Sequence, residues 1–161
     1  MKTLYLVRHA KSSWSENVQD HQRPLNKRGL SDMVMVSEHI ATHFPIPERI
    51  ISSDANRALT TAKQFQKAYQ LPERDFFTEA QLYDFSGGRL LNVIKNCDDN
   101  INRLMLFGHN YALTVIANEL GDTYIENIPT CGFVQINFEE TQWKNCEKGK
   151  TIATVFPKDL K

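Results

Sequence analysis

The chain has 161 residues and a mass of 18.6 kDa, with 41% hydrophobic and 24% charged residues, the composition of one globular domain able to bury its own core. Lys plus Arg number 19 and Asp plus Glu 19, so the formal charge is zero, which excludes a broad nucleic-acid footprint but leaves room for a small cationic pocket. No apolar run approaches the ~20 residues of a membrane helix, and Met1–Val7 is too short for an export signal, so no membrane partner and a cytoplasmic location are expected.

In chain order, Thr3–Val7 reads as a buried strand. A helix follows with Met33, Val36, Ile40 and Phe44 on one face, stopped by Pro45 and Pro47. Arg49–Ser52 is the second strand, and Asp54 is placed to cap the next helix, where Ala58, Ala62, Phe65 and Tyr69 recur at helical spacing. A short helix from Ser86 to about Asn96 runs through Leu90, Leu91 and Ile94. Arg103–Phe107 is a third apolar strand, and the helix through Leu113, Ile116, Ala117 and Leu120 ends at Gly121. Val134, Ile136 and Phe138 alternate with other residues, as in a half-covered strand. With a last strand over Thr151–Phe156 they form a closing antiparallel element, with a turn between Asn145 and Lys150. No linker or repeat divides the sequence. The expectation is a single domain over residues 1–161, of the α/β class, with a mostly parallel sheet flanked by helices.

The chemistry gathers where the apolar strands end. Arg8 and His9 follow the first, Ser52, Ser53, Asp54 and Arg57 the second, and Gly108, His109 and Asn110 the third. Ligands of open α/β sheets bind outside the carboxyl ends of the strands, so two histidines and two arginines distant in sequence are expected on one rim. Arg57 falls in a first helical turn, where free N–H groups also favour an anion. Arginine forks match phosphate oxygens, and a neutral imidazole can attack phosphorus, so this set points to phosphoryl transfer. Neighbouring arginines would lower the imidazole pKa, and a carbonyl acceptor on the other ring nitrogen would fix the tautomer. The cysteines, Cys97, Cys131 and Cys146, are odd in number and scattered, so free thiols are expected. His39 and His43 stand at a metal spacing without a partner motif, so neither a metal nor a cofactor is expected.

Leu6-Val7-Arg8-His9-Ala10, Ser52-Ser53-x-x-x-Arg57-Ala58-x-x-Thr61 and Gly108-His109-Asn110 resemble the three motifs of the histidine phosphatase superfamily. Arg23-Pro24-Leu25-x-x-x-Gly29 resembles the matching stretch of its SixA-type phosphohistidine phosphatases. The likeness runs over roughly residues 3 to 120 in the family's order. It implies a phosphoglycerate-mutase-like fold with helices on both sheet faces, His9 as nucleophile, Arg8, Arg57 and His109 around the phosphoryl oxygens, and Arg23 as a further contact. Ala10 departs from the usual glycine, and Ser15 stands where the mutase branch has a phosphate-contacting Asn. The general-acid Glu of that branch has no clear equivalent; Asp84 falls near its place, with Glu79 a little upstream. The resemblance implies a metal-independent hydrolase acting on a phosphohistidine-bearing protein. The alternatives are a small phosphorylated metabolite as substrate, or a phosphate-binding module without catalysis.

Overall fold

A computed structural model describing residues 1–161 places ten strands and helices in the order β1 (Lys2–Arg8), α1 (Lys27–His43), β2 (Arg49–Ser52), α2 (Asn56–Tyr69), β3 (Phe76–Thr78), α3 (Gly88–Lys95), β4 (Arg103–Gly108), α4 (Ala112–Leu120), β5 (Phe133–Phe138) and β6 (Lys150–Val155). One sheet contains all six strands in the order β3-β2-β4-β1-β5-β6. The pairs β1/β4, β4/β2 and β2/β3 are parallel, while β5 runs antiparallel to both β1 and β6. The mostly parallel sheet and the late antiparallel element are therefore as expected. No helix is long and apolar enough to cross a membrane.

The inner strands read as continuous apolar runs because both of their faces are covered. Leu4 and Leu6 of β1, with Leu104 and Leu106 of β4, pack under α3 and α4 against Leu90, Ile94, Leu113 and Ile116. The alternate residues Tyr5, Val7, Met105 and Phe107 face α1 and α2, meeting Val36, Ile40, Ala62 and Phe65. At ~25 cal/mol per Å2 of apolar surface, burying each such side chain stabilises the fold by roughly 1.5–3 kcal/mol, so the two layers hold the sheet from both sides.

Two local expectations change, and one strand was not anticipated. Asp54 does not cap α2: the N-cap is Ala55, without a side-chain bond, and the Ala55 N–H is met by Ser53 Oγ at 3.2 Å. Asp54 instead lies 2.9 Å from His21 Nε2. Between β5 and β6 the chain takes a long excursion over 139–149, because Trp143 is buried there and donates from Nε1 to the Ile101 carbonyl at 2.7 Å. The edge strand β3 is too short and too exposed to leave a pattern in the sequence.

Candidate active site

Strand order makes the site. With β1 between β4 and β5, and β2 on the other side of β4, the carboxyl ends of β1, β2 and β4 are neighbours. Arg8 pairs in register with Gly108, and Ser52 with Phe107. The ladder continues one step beyond the strands, with the His9 N–H donating to the Gly108 carbonyl and the Ser53 N–H to that of Phe107. Arg8, His9, Ser53, Arg57 and His109, far apart in sequence, thus share one rim. Arg8, His9, Arg57 and His109 line a cleft of about 260 Å3 with Lys11, Ser12, Trp14, Asp20, Arg23 and Phe85. A larger hollow of about 400 Å3 beside Phe138 and Ile152 contains no histidine or arginine, so size alone does not identify the chemistry.

His9 lies on the floor of the cleft, 6% exposed. Its Nδ1 is 2.7 Å from the Ala10 carbonyl oxygen, which can only accept, so Nδ1 carries the proton and Nε2 presents its lone pair. Arg57 Nε donates toward that lone pair at 3.3 Å. The supporting backbone is fixed from two sides. The Ala10 N–H donates to Thr61 Oγ1 at 3.0 Å, and the Thr61 hydroxyl donates to the Arg57 carbonyl at 2.8 Å, tying the nucleophile loop to α2. On the other side, the Cys131 N–H reaches the carbonyls of both Arg8 and His9. Burial lowers the His9 pKa to about 3 against the opposing bond to Ala10, and Arg57, Arg8 and Arg23 add smaller downward contributions. The expected arginine effect is present, but it is secondary to desolvation.

His109, 1% exposed, packs with its ring centroid 5.2 Å from that of His9. Its Nε2 lies 2.9 Å from Ser53 Oγ. That oxygen also accepts from the Ala55 N–H, which ties His109 to the start of α2. Burial, then His9 and Arg57, lower the His109 pKa to about 2. His109 Nδ1 and Arg8 Nε are buried with no hydrogen-bond partner in the chain. Arg8 Nη1 donates to the Ile128 carbonyl at 2.9 Å, which anchors one end of its fork. Two guanidinium groups and two imidazoles on one cleft form a cradle for an anion with several oxygens.

The remaining predicted residues divide. Arg23 reaches the cleft: its Nη1 donates to Ser12 Oγ at 2.8 Å and its guanidinium stacks 3.5 Å from the Trp14 ring centroid. Ser15 does not line the cleft; it is exposed, with its hydroxyl on Ser13 and Glu16. Asp84 turns away into the start of α3, where its carboxylate accepts from the backbone N–H groups of Ser86, Gly87 and Leu90. Burial alone would raise its pKa, yet those donors hold it below the usual carboxylate value. Both its oxygens are engaged by that turn, so Asp84 does not line the cleft as the general acid whose place it falls near in sequence. Glu79 likewise accepts from the Gln81 N–H. Sequence reasoning missed Asp20, the carboxylate that does line the cleft, and the 128–131 turn that braces Arg8 and His9. The signal for Asp20 was its place three residues before Arg23, an i,i+3 ion pair at 3.0 Å. No cluster of three or more His, Cys, Asp or Glu side chains suited to a metal occurs in the chain.

The family model of the histidine phosphatase superfamily (branch 1) matches residues 4–104. An uncharacterized chloroplastic protein of Arabidopsis thaliana is 29% identical over 154 residues, covering 89% of this chain and 69% of that protein. An uncharacterized protein of Mycobacterium tuberculosis is 26% identical over 160 residues, covering 93% and 98%. Among solved structures, the protein histidine phosphatase SixA complexed with tungstate superimposes with a TM-score of 0.80 at 15% identity, covering 99% of each chain. A SixA from Agrobacterium tumefaciens gives 0.79 at 21%, covering 96% and 97%. A mycobacterial glucosyl-3-phosphoglycerate phosphatase gives 0.66 at 12%, covering 98% and 99%.

Proposed function

The chain belongs to the histidine phosphatase superfamily, and from that premise we propose that it is a phosphatase working through a phosphohistidine on His9, with protein phosphohistidine as its substrate. The observation that carries the reading is the convergence on one cleft of His9, whose Nε2 presents a lone pair, with the side chains of Arg8, Arg57 and His109.

In the first step His9 Nε2 attacks phosphorus as the P–N bond of the substrate breaks, and the bonding electron pair leaves on the substrate imidazole. The charge on the transferring oxygens is met by Arg8, Arg57, Arg23 and His109, which line the cleft around His9. Arg57 gives up its contact with Nε2 as it turns to a phosphoryl oxygen. In the second step water attacks the phosphorus on His9, inorganic phosphate leaves, and neutral His9 returns. Because burial keeps His9 neutral at working pH, no proton has to be removed before attack.

The leaving group selects the substrate class. The only carboxylate on the cleft, Asp20, has a pKa held down at about 2, so it is ionised and has no proton to give a departing alkoxide. An imidazole already protonated on its far nitrogen leaves neutral and needs none. The likeness to a SixA bound to tungstate, a phosphate-shaped oxyanion, supports both the pocket and the substrate class. The small-ester alternative rests on the likeness to the glucosyl-3-phosphoglycerate phosphatase. Comparing kcat/KM on a histidine-phosphorylated protein with that on sugar and glycerate phosphates decides between them. The expected result is preference for the phosphohistidine and an acid-labile phosphoenzyme that is lost in His9→Gln. Efficient ester hydrolysis with no action on phosphohistidine overturns the substrate assignment, and turnover by His9→Gln overturns the mechanism.

A further inference from the structure

Asp20 sits where a catalytic arginine pair should be free. Its Oδ2 accepts from Arg57 Nη2 at 3.0 Å and from the Tyr83 hydroxyl at 2.5 Å, its Oδ1 accepts from Arg23 Nε at 3.0 Å, and its backbone carbonyl accepts from Arg57 Nη1 at 2.7 Å. An ionised carboxylate offers about four lone-pair positions. Three are taken, and the remaining one is on Oδ1. The side chain of Asp20 is 43% exposed against 6% for His9, so one marks the mouth of the cleft and the other the floor.

In-line displacement fixes what lies between them. The leaving atom must be opposite His9 Nε2 across phosphorus, and so toward the mouth. A phosphate ester brings only oxygen to that position, and a fixed negative charge beside it is repulsive. A phosphoimidazole protonated on its far nitrogen brings an N–H donor and a positive charge. Phe85, about half exposed, lines the same cleft with its ring centroid 5.2 Å from that of His109, and adds aromatic surface for a flat heterocycle.

We propose that Asp20 is a specificity-determining residue, which accepts a hydrogen bond from the protonated far nitrogen of the substrate imidazole and disfavours esters by charge. This rests on the phosphohistidine reading above and adds the group that enforces it. As the P–N bond breaks, the electron pair passes to the departing ring, its far nitrogen keeps its proton on the Asp20 carboxylate, and neutral imidazole leaves. Asp20 therefore donates nothing and accepts no proton; it selects the protonation state of the substrate.

The test is Asp20→Asn, which keeps shape and removes charge, assayed on a histidine-phosphorylated protein and on p-nitrophenyl phosphate, with orthovanadate inhibition alongside. Loss of a charge-assisted bond lowers kcat/KM for phosphohistidine by roughly tenfold or more. Removal of a repulsion acting over several ångströms in wet surroundings raises ester kcat/KM, and tightens vanadate, by about threefold. If Asp20 merely holds Arg57 and Arg23 in place, both activities fall in parallel and vanadate binds more weakly, and the inference is overturned; no change in any of the three also overturns it. A wild-type protein that turns over the ester but not phosphohistidine removes the proposed substrate itself, which separates that failure from this one.

Discussion

Acidification should destabilise this protein in a window set by its two buried histidines. Each ring in the unfolded chain takes a proton as pH falls through the reference value of 6.5, whereas in the folded chain His9 declines it until about 3 and His109 until about 2. The unfolded state therefore binds more protons throughout the interval, and stability is lost as pH falls below 6.5. One pH unit per ring is worth about 1.4 kcal/mol. Between about pH 7.5 and about pH 5 each ring costs about 2 kcal/mol, and the two together about 4 kcal/mol, a large share of a typical ~5–15 kcal/mol total. Neither folded ring is protonated above about pH 5, so their mutual repulsion does not alter the sum. Urea denaturation at the two pH values, for wild type and His109→Gln, measures it. The wild-type loss should be about 4 kcal/mol and that of the variant about 2 kcal/mol, since His21, His39 and His43 are common to both. An equal loss in the two proteins would show that His109 is not held neutral, and the account of the cleft as a desolvated anion cradle would fail with it.

Four further outcomes are expected. Gly29→Ala drives a Cβ into the Lys11 carbonyl at the first turn of α1, so urea titration should show a loss of about 1–3 kcal/mol or more. Thr61→Val strands the buried Ala10 N–H, costing about 1–3 kcal/mol, and frees the His9 loop, so kcat should fall even where folding is complete by circular dichroism. Asp84→Asn weakens the cap of α3 by about 1 kcal/mol and should change phosphohistidine and ester turnover by the same factor; a selective loss of ester turnover would restore Asp84 as an acid. Exhaustive chelation should leave activity intact, because arginines supply the positive charge of the cleft; recovery only on adding a divalent ion would refute that.

Much of this molecule was legible before any coordinates. β1, β2 and β4 stood out because strands covered on both faces must be apolar at every position, and the helices because each buries one stripe. Arg8, His9 and His109 could be named because each stands at the end of an apolar run, and Arg57 because it opens the helix that follows β2; backbone connectivity keeps such residues near a strand end. Those are local properties, set by neighbours a few residues away. Strand order is not local. That β1 lies between β4 and β5, which brings the three strand ends together and lays the 128–131 turn over Arg8 and His9, depends on packing across the whole chain. The roles of the carboxylates are likewise tertiary. Asp84 and Asp20 are both loop aspartates, and beyond the i,i+3 spacing of Asp20 to Arg23 nothing near them in sequence tells which one reaches the cleft. Folding turns Asp84 into the N–H groups of α3, where hydrogen bonds satisfy its charge, and carries Asp20 to the guanidinium groups of Arg23 and Arg57 at the mouth of the cleft. A charged side chain takes its role from the partners that compensate it, and in this fold those partners lie as far as 37 and 63 residues away, at Arg57 and Tyr83.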